Sequence, residues 1–288
     1  QKVQLPQTLY LYTHAVLPDR WSGVWAGAMT FGLFHSNGQT GRSWALPAPF
    51  SDIDALARDE RGSLWIGASP GLLQVSLPTV GLPDSLRWRA HTTRDGLILS
   101  NVRDLAVRDG KLYCATATGG VAIYDGTTWS SLDEADGLPG RGAESLLLDG
   151  KGTLWIGVEH GLVRYRKSDV PPRVRIVSVR TDTLRQVSGD IPVELGSRAT
   201  IDYRGVDYRT SSRKRQYRHR VVAPEAAATD SGWSQASRQS RFEWTPDETG
   251  IQVFQVQAID RDLNYSAPAA VVLSAFLPWY RNASMTVP

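Results

Sequence analysis

Apolar and polar positions recur in one order through the first 170 residues. The stretch "GTLWIGVEHGLVRY" (152–165) is a short apolar strand, a small polar interruption and a second apolar strand. The same unit appears as "GSLWIGASPGLL" (62–73), "GKLYCATATGGV" (110–121) and "GVWAGAMTFGL" (23–33), anchored on Trp25, Trp65, Tyr113 and Trp155 at steps of 40, 48 and 42 residues. Upstream of each anchor lies an apolar triplet and then an Asp followed by a Gly turn, as in "ESLLLDGKG". The Asp side chain is expected to bond amides of its own turn while Gly accepts positive φ, folding one strand back onto the next. The unit therefore reads as strand A (144–148), strand B (153–158) and strand C (161–166), with strand D supplied in the preceding unit by 128–132. A period in the low forties built from short strands predicts an all-β chain of β-propeller blades, about four strands to a blade. Alternation of Leu, Trp and Gly in strand B fits a sheet buried on both faces between neighbouring blades, so the Trp anchors are packing residues first.

The pattern changes at Pro171 and Pro172, where the repeat ends. From Val174 onward "RVRIVSV", "RATIDYRG", "QYRHRVV", "RFEWTP" and "IQVFQVQAID" alternate at period two with turns between them. That predicts an immunoglobulin- or fibronectin-like β-sandwich. The expected organisation is propeller blades over 1–170, the sandwich over 171–277 and a tail over 278–288.

Composition adds little to the fold and something to the partners. With 288 residues, 26 Gly, 16 Pro and ten Trp, the chain holds two all-β domains. Net charge is −1 over 1–170 and +4 over 171–288, so the basic excess belongs to the second domain. Its densest run, "RKRQYRHR" (213–220), suggests nucleic acid or anionic lipid when taken alone. Taken as a strand, Tyr217, His219 and Val221 share one face and Arg218 and Arg220 the other, which predicts a half-buried strand with a solvated arginine face and no nucleic-acid partner. The single Cys114 falls in a strand B position and is expected to be a small buried side chain. No run of 18 apolar residues exists. The chain starts at Gln1 with neither Met nor a leader, which is expected of a processed or trimmed product.

The repeat "LLLDGKGTLWIGVEHGLVRY", with "DGL" junctions at Asp95–Leu97 and Asp136–Leu138, resembles the two-component regulator propeller repeat. The segments "QYRHRVV", "SGWSQ" and "FEWTPDETGIQVFQVQAIDRDLNYS" resemble the triple-tyrosine (Y_Y_Y) domain that follows such propellers. This resemblance implies a periplasmic, ligand-sensing part of a bacterial receptor. It implies a small molecule or oligosaccharide at the blades, a homodimer through the sandwich, and a transmembrane helix leading to a kinase or diguanylate cyclase. The tail "FLPWYRNASMTVP" is similar to the aromatic stretch ahead of that helix. Two departures stand out: Tyr113 replaces the usual Trp, and Phe242 and Trp244 partly fill the tyrosine pattern.

Catalytic and metal chemistry finds no motif. The five histidines are dispersed, with no HxxxH, HExxH or CxxC spacing, and no GxSxG or phosphate-binding loop occurs, so neither cofactor nor metal nor catalytic residue is assigned. One pair, Glu159–His160, sits where the other repeats carry small residues, and it is read either as a polar turn, a ligand contact or an acid–base pair. Ligand is expected on the B–C turns and the blade-to-blade segments, through Ser69, Asn101, Thr118, Arg141, Glu159 and His160. A protein-interaction scaffold and a propeller lyase or hydrolase are the alternatives. The fourth repeat lacks a strand D, and four blades left open expose apolar faces and strand edges. A larger propeller, of which these blades are a part, is expected; a four-bladed ring and an eight-bladed ring of two chains are the other closures.

Overall fold

The computed structural model describes residues 13–20, 23–28, 32–78, 81–93, 101–181, 185–186 and 189–278. The junction at Asp95–Leu97, the first six residues and most of the tail lie outside them. The chain divides into two compact units, Gln1–Lys167 and Ser168–Pro288.

The first unit is a series of antiparallel meanders, one per repeat. The first blade holds β1 (Thr13–Pro18), β2 (Val24–Ala28), β3 (Gly32–Ser36) and β4 (Gly41–Trp44). The second holds β5 (Ser51–Arg58), β6 (Ser63–Ser69), β7 (Gly71–Ser76) and β8 (Trp88–His91). The third holds β9 (Val102–Arg108), β10 (Lys111–Thr116), β11 (Gly120–Tyr124) and β12 (Trp129–Leu132). The fourth holds β13 (Ser145–Leu148), β14 (Leu154–Val158) and β15 (Gly161–Tyr165), with no fourth strand among the described residues. First strands pack on first strands: β1 on β5, β5 on β9, β9 on β13.

The Asp-bearing turns work as the sequence predicts, and they do more. In the second blade Asp59 accepts the Ser63 amide at 2.7 Å and the Trp65 indole N–H at 3.0 Å. In the fourth, Asp149 accepts the amides of Lys151 and Thr153, both at 2.9 Å, and the Trp155 indole N–H at 3.2 Å, while Gly152 takes φ 78°. Each carboxylate thus closes the turn and orients the aromatic anchor six residues on. In the first blade Asp19 accepts the Gly23 amide at 2.7 Å and pairs with the buried His35 imidazole, leaving the Trp25 indole N–H without an acceptor. The third blade, with Tyr113 for Trp, turns instead on Asp109 (φ 50°) and Gly110 (φ 69°), the two left-handed residues of a two-residue hairpin.

Two apolar cores lie between consecutive blades. Trp25, Leu33, Ile53, Leu64, Ile66 and Leu73 fill one; Trp65, Leu72, Val102, Leu112, Cys114 and Trp129 fill the next. Cys114 is fully buried and unbonded, and burial pushes its thiol pKa up, so it behaves as a small apolar side chain. The strand B glycines permit the close approach: a Cβ on Gly67 would stand 2.7 Å from Val102 Cγ1, and one on Gly27 would overlap Ile53. Burial of strand B on both faces holds for the first three blades and fails for the fourth, where Leu147 and Leu162 of the flanking strands are open to solvent.

The second unit is a two-sheet sandwich. Its strands are β16 (Arg173–Arg180), β17 (Arg185–Gln186), β18 (Asp190–Glu194), β19 (Ala199–Val206), β20 (Gln216–Val222), β21 (Arg241–Trp244), β22 (Gly250–Ile259) and β23 (Ala269–Phe276). One sheet has the order β17-β16-β19-β21 and the other β18-β23-β22-β20, with β18 and β23 parallel. Ile191, Val193, Ile201, Tyr203, Tyr217, Phe254, Val256 and Leu273 meet between them. Tyr203 packs edge-on against Tyr217 at 5.1 Å, and the Tyr217 hydroxyl accepts the Gly205 amide at 2.9 Å. Phe242, one of the two aromatic departures, stacks on Phe254 at 5.4 Å.

The solvated arginine face expected on β20 is not what forms. Alternation holds, but the segment after β20 folds over the arginines. Arg220 is buried, donating to Gln255 Oε1 at 2.8 Å, to the Ala227 carbonyl at 3.0 Å and to the Ser231 carbonyl. Arg218 donates to Gln257 Oε1 at 2.7 Å. The two guanidiniums alternate with ring faces: Arg218 lies 4.4 Å from Tyr265 and 4.7 Å from Trp233, and Arg220 lies 4.4 Å from Trp233. A period-two reading assigns faces within a strand; it does not show that a later loop covers one of them.

His219, on the opposite face, lies 4.1 Å from Phe242, and burial holds its pKa below the ordinary 6.5. The unfolded chain therefore binds this proton more tightly than the folded one. The contribution is intact above the unfolded pKa and is lost as pH falls from 6.5 toward the folded value. Burial pushes Asp260 up from 3.8 instead, so its protonation acts with the opposite sign. The melting temperature of the sandwich is expected to fall between pH 7.5 and 5.5, and His219→Phe is expected to flatten that fall in scanning calorimetry. An equal slope in both proteins would show that His219 is not its source.

Candidate functional site

The two ends of each blade differ. The Asp-bearing turns occupy one end; the B–C turns and the segments entering each new blade occupy the other, where hydrogen bonds stitch neighbouring blades together. The Ser69 hydroxyl, at the end of β6, donates to Asn101 Oδ1 at 2.9 Å, and the Asn101 carbonyl accepts the Ala117 amide at 3.0 Å. Thr118 is exposed in the β10–β11 turn, and the far side of that turn donates from Gly120 N to the Arg141 carbonyl at 2.7 Å. Ser69, Asn101, Thr118 and Arg141 are thus brought together along one bonded path. Glu159 and His160 occupy the corresponding turn of the fourth blade, 3.9 Å apart and about four-fifths exposed.

Beside this path runs a feature that the strand patterns did not bring out. At one register position of four consecutive blades, near the start of the first strand, stand His14, Asp54, Arg103 and Glu144. Three of the four sit at or beside a break in the pairing with the second strand, where an extra residue re-aims the side chain. They form a row of alternating character: His14 Nδ1 to Asp54 Oδ1 3.2 Å, Arg103 Nη1 to Asp54 Oδ2 3.8 Å, Arg103 Nε to Glu144 Oε2 3.9 Å. Asp54 is the most enclosed member, and the others are 42–56% exposed. Pairs at such distances in solvent contribute little to stability. They do present donors and acceptors in a fixed order. The signal was present in the sequence as a charged or imidazole residue ten or eleven positions before each aromatic anchor.

A concavity of about 210 Å³ lies at the opposite end between the second and third blades, lined by Asp59, Arg61, Trp65, Gln74, Arg89 and Lys111 among others. Asp59 is committed to its own turn and Trp65 to the packed aromatic group of His91 and Tyr124.

No protein-family profile matches the sequence, and no curated protein matches it. Among solved structures the chain is similar to the extracellular domain of a protein described as a hybrid two-component system of B. thetaiotaomicron, at 16% identity over 93% of this chain and 39% of that one, with a TM-score of 0.51. It is also similar to the extracellular domain of a one-component system of the same organism, at 14% identity over 93% of this chain and 36% of that one, TM-score 0.40. A third is PorZ, a surface component of the type-IX secretion system of Porphyromonas gingivalis, at 13% identity over 92% and 45%, TM-score 0.35. The chain spans less than half the length of each. The first likeness bears on the fold: an all-β architecture of blades followed by a sandwich.

Proposed function

We propose that this chain is the extracytoplasmic, ligand-sensing region of a bacterial transmembrane signalling receptor, and that its blades take a polar small molecule or oligosaccharide at the end bearing the B–C turns. The observation that carries this reading is the row His14–Asp54–Arg103–Glu144 beside the Ser69–Asn101 bond. Alternating acceptors and donors a few ångströms apart suit vicinal hydroxyls, each of which both donates and accepts. A rigid strand scaffold holds them, as recognition requires. The order of blades then sandwich, shared with an extracellular domain of a two-component system, supports a sensor over a scaffold. In this reading the sandwich stands next to the membrane, pairs with a second copy and relays the bound state to a kinase or cyclase; the region itself carries out no reaction.

The test is calorimetric titration against a panel of neutral and acidic oligosaccharides. For a ligand so found, Asp54→Ala with Arg103→Ala is expected to weaken binding by about 1–3 kcal/mol, the cost of losing charge-assisted hydrogen bonds. Glu159→Ala with His160→Ala is expected to weaken it at the lower end of that range. Unchanged affinity in both double variants would remove this end of the blades and turn attention to the concavity around Arg61 and Arg89.

A further inference from the structure

Arginines bridge neighbouring blades at the end that bears the Asp turns, and in one gap they have nothing to hold. Between the first and second blades Arg20 Nη2 donates to the Pro78 carbonyl at 2.9 Å, while Arg42 Nη1 reaches the Pro83 carbonyl at 3.0 Å and Asp84 Oδ1 at 2.9 Å. Between the third and fourth, Arg108 donates to the carbonyls of Asp149 and Gly150. The middle gap has comparable arginines without the acceptors. Arg61 leaves its turn toward the third blade, where its Nη1 would stand 3.8 Å from a Cβ placed on Gly126, but the Gly126 carbonyl already accepts the Tyr124 hydroxyl at 2.6 Å. Arg89 stands where Arg42 does: the cross-strand row Trp65, Gln74, Arg89 repeats Trp25, His35, Arg42. Both side chains are exposed, and among the described residues neither has a hydrogen bond or an ion pair. The cause is loop length. Residues 77–87, which join β7 to β8, supply Pro78, Pro83 and Asp84 to the first gap, whereas the turn from β11 to β12 spans only 125–128 and covers nothing.

We infer that Arg61 and Arg89 close on an oxyanion, the carboxylate, sulfate or phosphate group of a sugar-sized ligand seated in the concavity between the second and third blades. Guanidinium forks match such groups in pairs of charge-assisted bonds, which are shorter and stronger than neutral ones. The space of about 210 Å³ is far more than an inorganic anion fills, so the charged group arrives on a larger frame. Two acids share the wall. The Asp59 carboxylate is engaged by the Ser63 amide and the Trp65 indole. Glu60 stands five residues before its anchor, the place that Arg20 and Arg108 hold in the first and third blades, and it offers an acceptor for hydroxyls beside the anion. An acidic or esterified sugar answers that pairing of donors and acceptor. The seat lies at the other end of the blades from His14, Asp54, Arg103 and Glu144 and does not rest on that row.

Titration of the 288-residue chain at low salt with glucuronate, glucose 6-phosphate, glucose and sodium sulfate, followed by NMR, tests this. At least one of the two anionic sugars is expected to bind about tenfold or more tighter than glucose and tighter than sulfate. Arg61→Met with Arg89→Met is expected to weaken that probe by about tenfold or more. Its melting temperature is expected to stay at the parent value, because neither guanidinium is bonded within the described chain, so lost binding is not lost folding. Glu60→Gln, which removes a like charge, is expected to strengthen the same probe. Asp54→Ala with Arg103→Ala is expected to leave it unchanged, which separates this seat from the opposite end. Glucose binding as tightly as both anionic sugars overturns the inference, as does full affinity in the arginine double variant. Sulfate binding as tightly as either sugar overturns it too, by reducing the seat to an adventitious ion only. Loss confined to the Asp54 and Arg103 variant assigns the probe to the other end and leaves the proposed function standing without this site.

Discussion

Gly27→Ala is expected to lower the melting temperature of the blade unit by roughly 1–10 °C, whereas Gly157→Ala, at the same place in the repeat, is expected to change it little. A Cβ on Gly27 overlaps Ile53, which is fully enclosed and whose β-branched side chain has one favoured rotamer in that space. Overpacking of a closed interface costs about 1–3 kcal/mol, and the reduced freedom of the unfolded chain offsets only about 0.4–1 kcal/mol of it. The added methyl on Gly157 meets the Ser145 hydroxyl, which is able to rotate away. The third blade already contains the compensated form of this pair. There the strand B position is Ala115 and the incoming residue is Ala143, and both are buried. A double-mutant cycle of Gly27→Ala with Ile53→Ala is therefore expected to show favourable coupling of about 1 kcal/mol or more. Additive losses would mean that the close approach of these two strands does not set the inter-blade distance.

The contrast shows how far the sequence reached. Anchor spacing, the Asp–Gly turns and the period-two alternation after Pro172 are local signals, each repeated several times, and repetition made them legible. The indole bonds of Trp65 and Trp155 to Asp59 and Asp149 rest on a fixed six-residue interval and were within reach of the same comparison. The charge row was harder to see, because its four members differ in type and three of them lie where the pairing slips by a residue. Their interval to the aromatic anchor, ten or eleven residues, is a signal only once the four units are aligned on those anchors. Of the six predicted ligand residues, the structure joins four through the β10–β11 turn, and it places Glu159 and His160 in the equivalent turn one blade on. What single-chain reasoning could not supply was long-range cover. The burial of Arg220 depends on Ala227, Ser231 and Trp233, which lie outside its strand and have no period to announce them.

That cover makes Arg220→Met the most damaging single change expected in the sandwich. The guanidinium is buried with three acceptors, Gln255 Oε1 and the carbonyls of Ala227 and Ser231, and with the Trp233 face. Methionine keeps much of the apolar stem but takes the donor from Gln255 Oε1 and the Ser231 carbonyl, while the Ala227 carbonyl keeps the Gln255 side-chain amide. Leaving a buried acceptor without its donor costs about 1–3 kcal/mol, more than the average net contribution of the bond itself, because the acceptor stays desolvated. The loss is expected to be local before it is global. The amides of Ser234 and Ser237 bond the carbonyls of His219 and Tyr217, so the 224–237 segment closes over β20 as an irregular flap held by its ends and by the cation–aromatic stack. In Arg220→Met, hydrogen exchange at Ser234 and Ser237 is expected to accelerate well beyond the change seen at β22, with the melting temperature of the sandwich falling in parallel. Arg213→Met, at the exposed end of the same basic run, is the control and is expected to stay within about 0.5 kcal/mol of the parent. Should the two substitutions prove equally mild, the arginines of 213–220 would be a solvated face after all. A loss confined to Arg220 instead makes the run two things joined end to end: a surface cluster up to Lys214 and a buried strand whose charges are spent holding a loop.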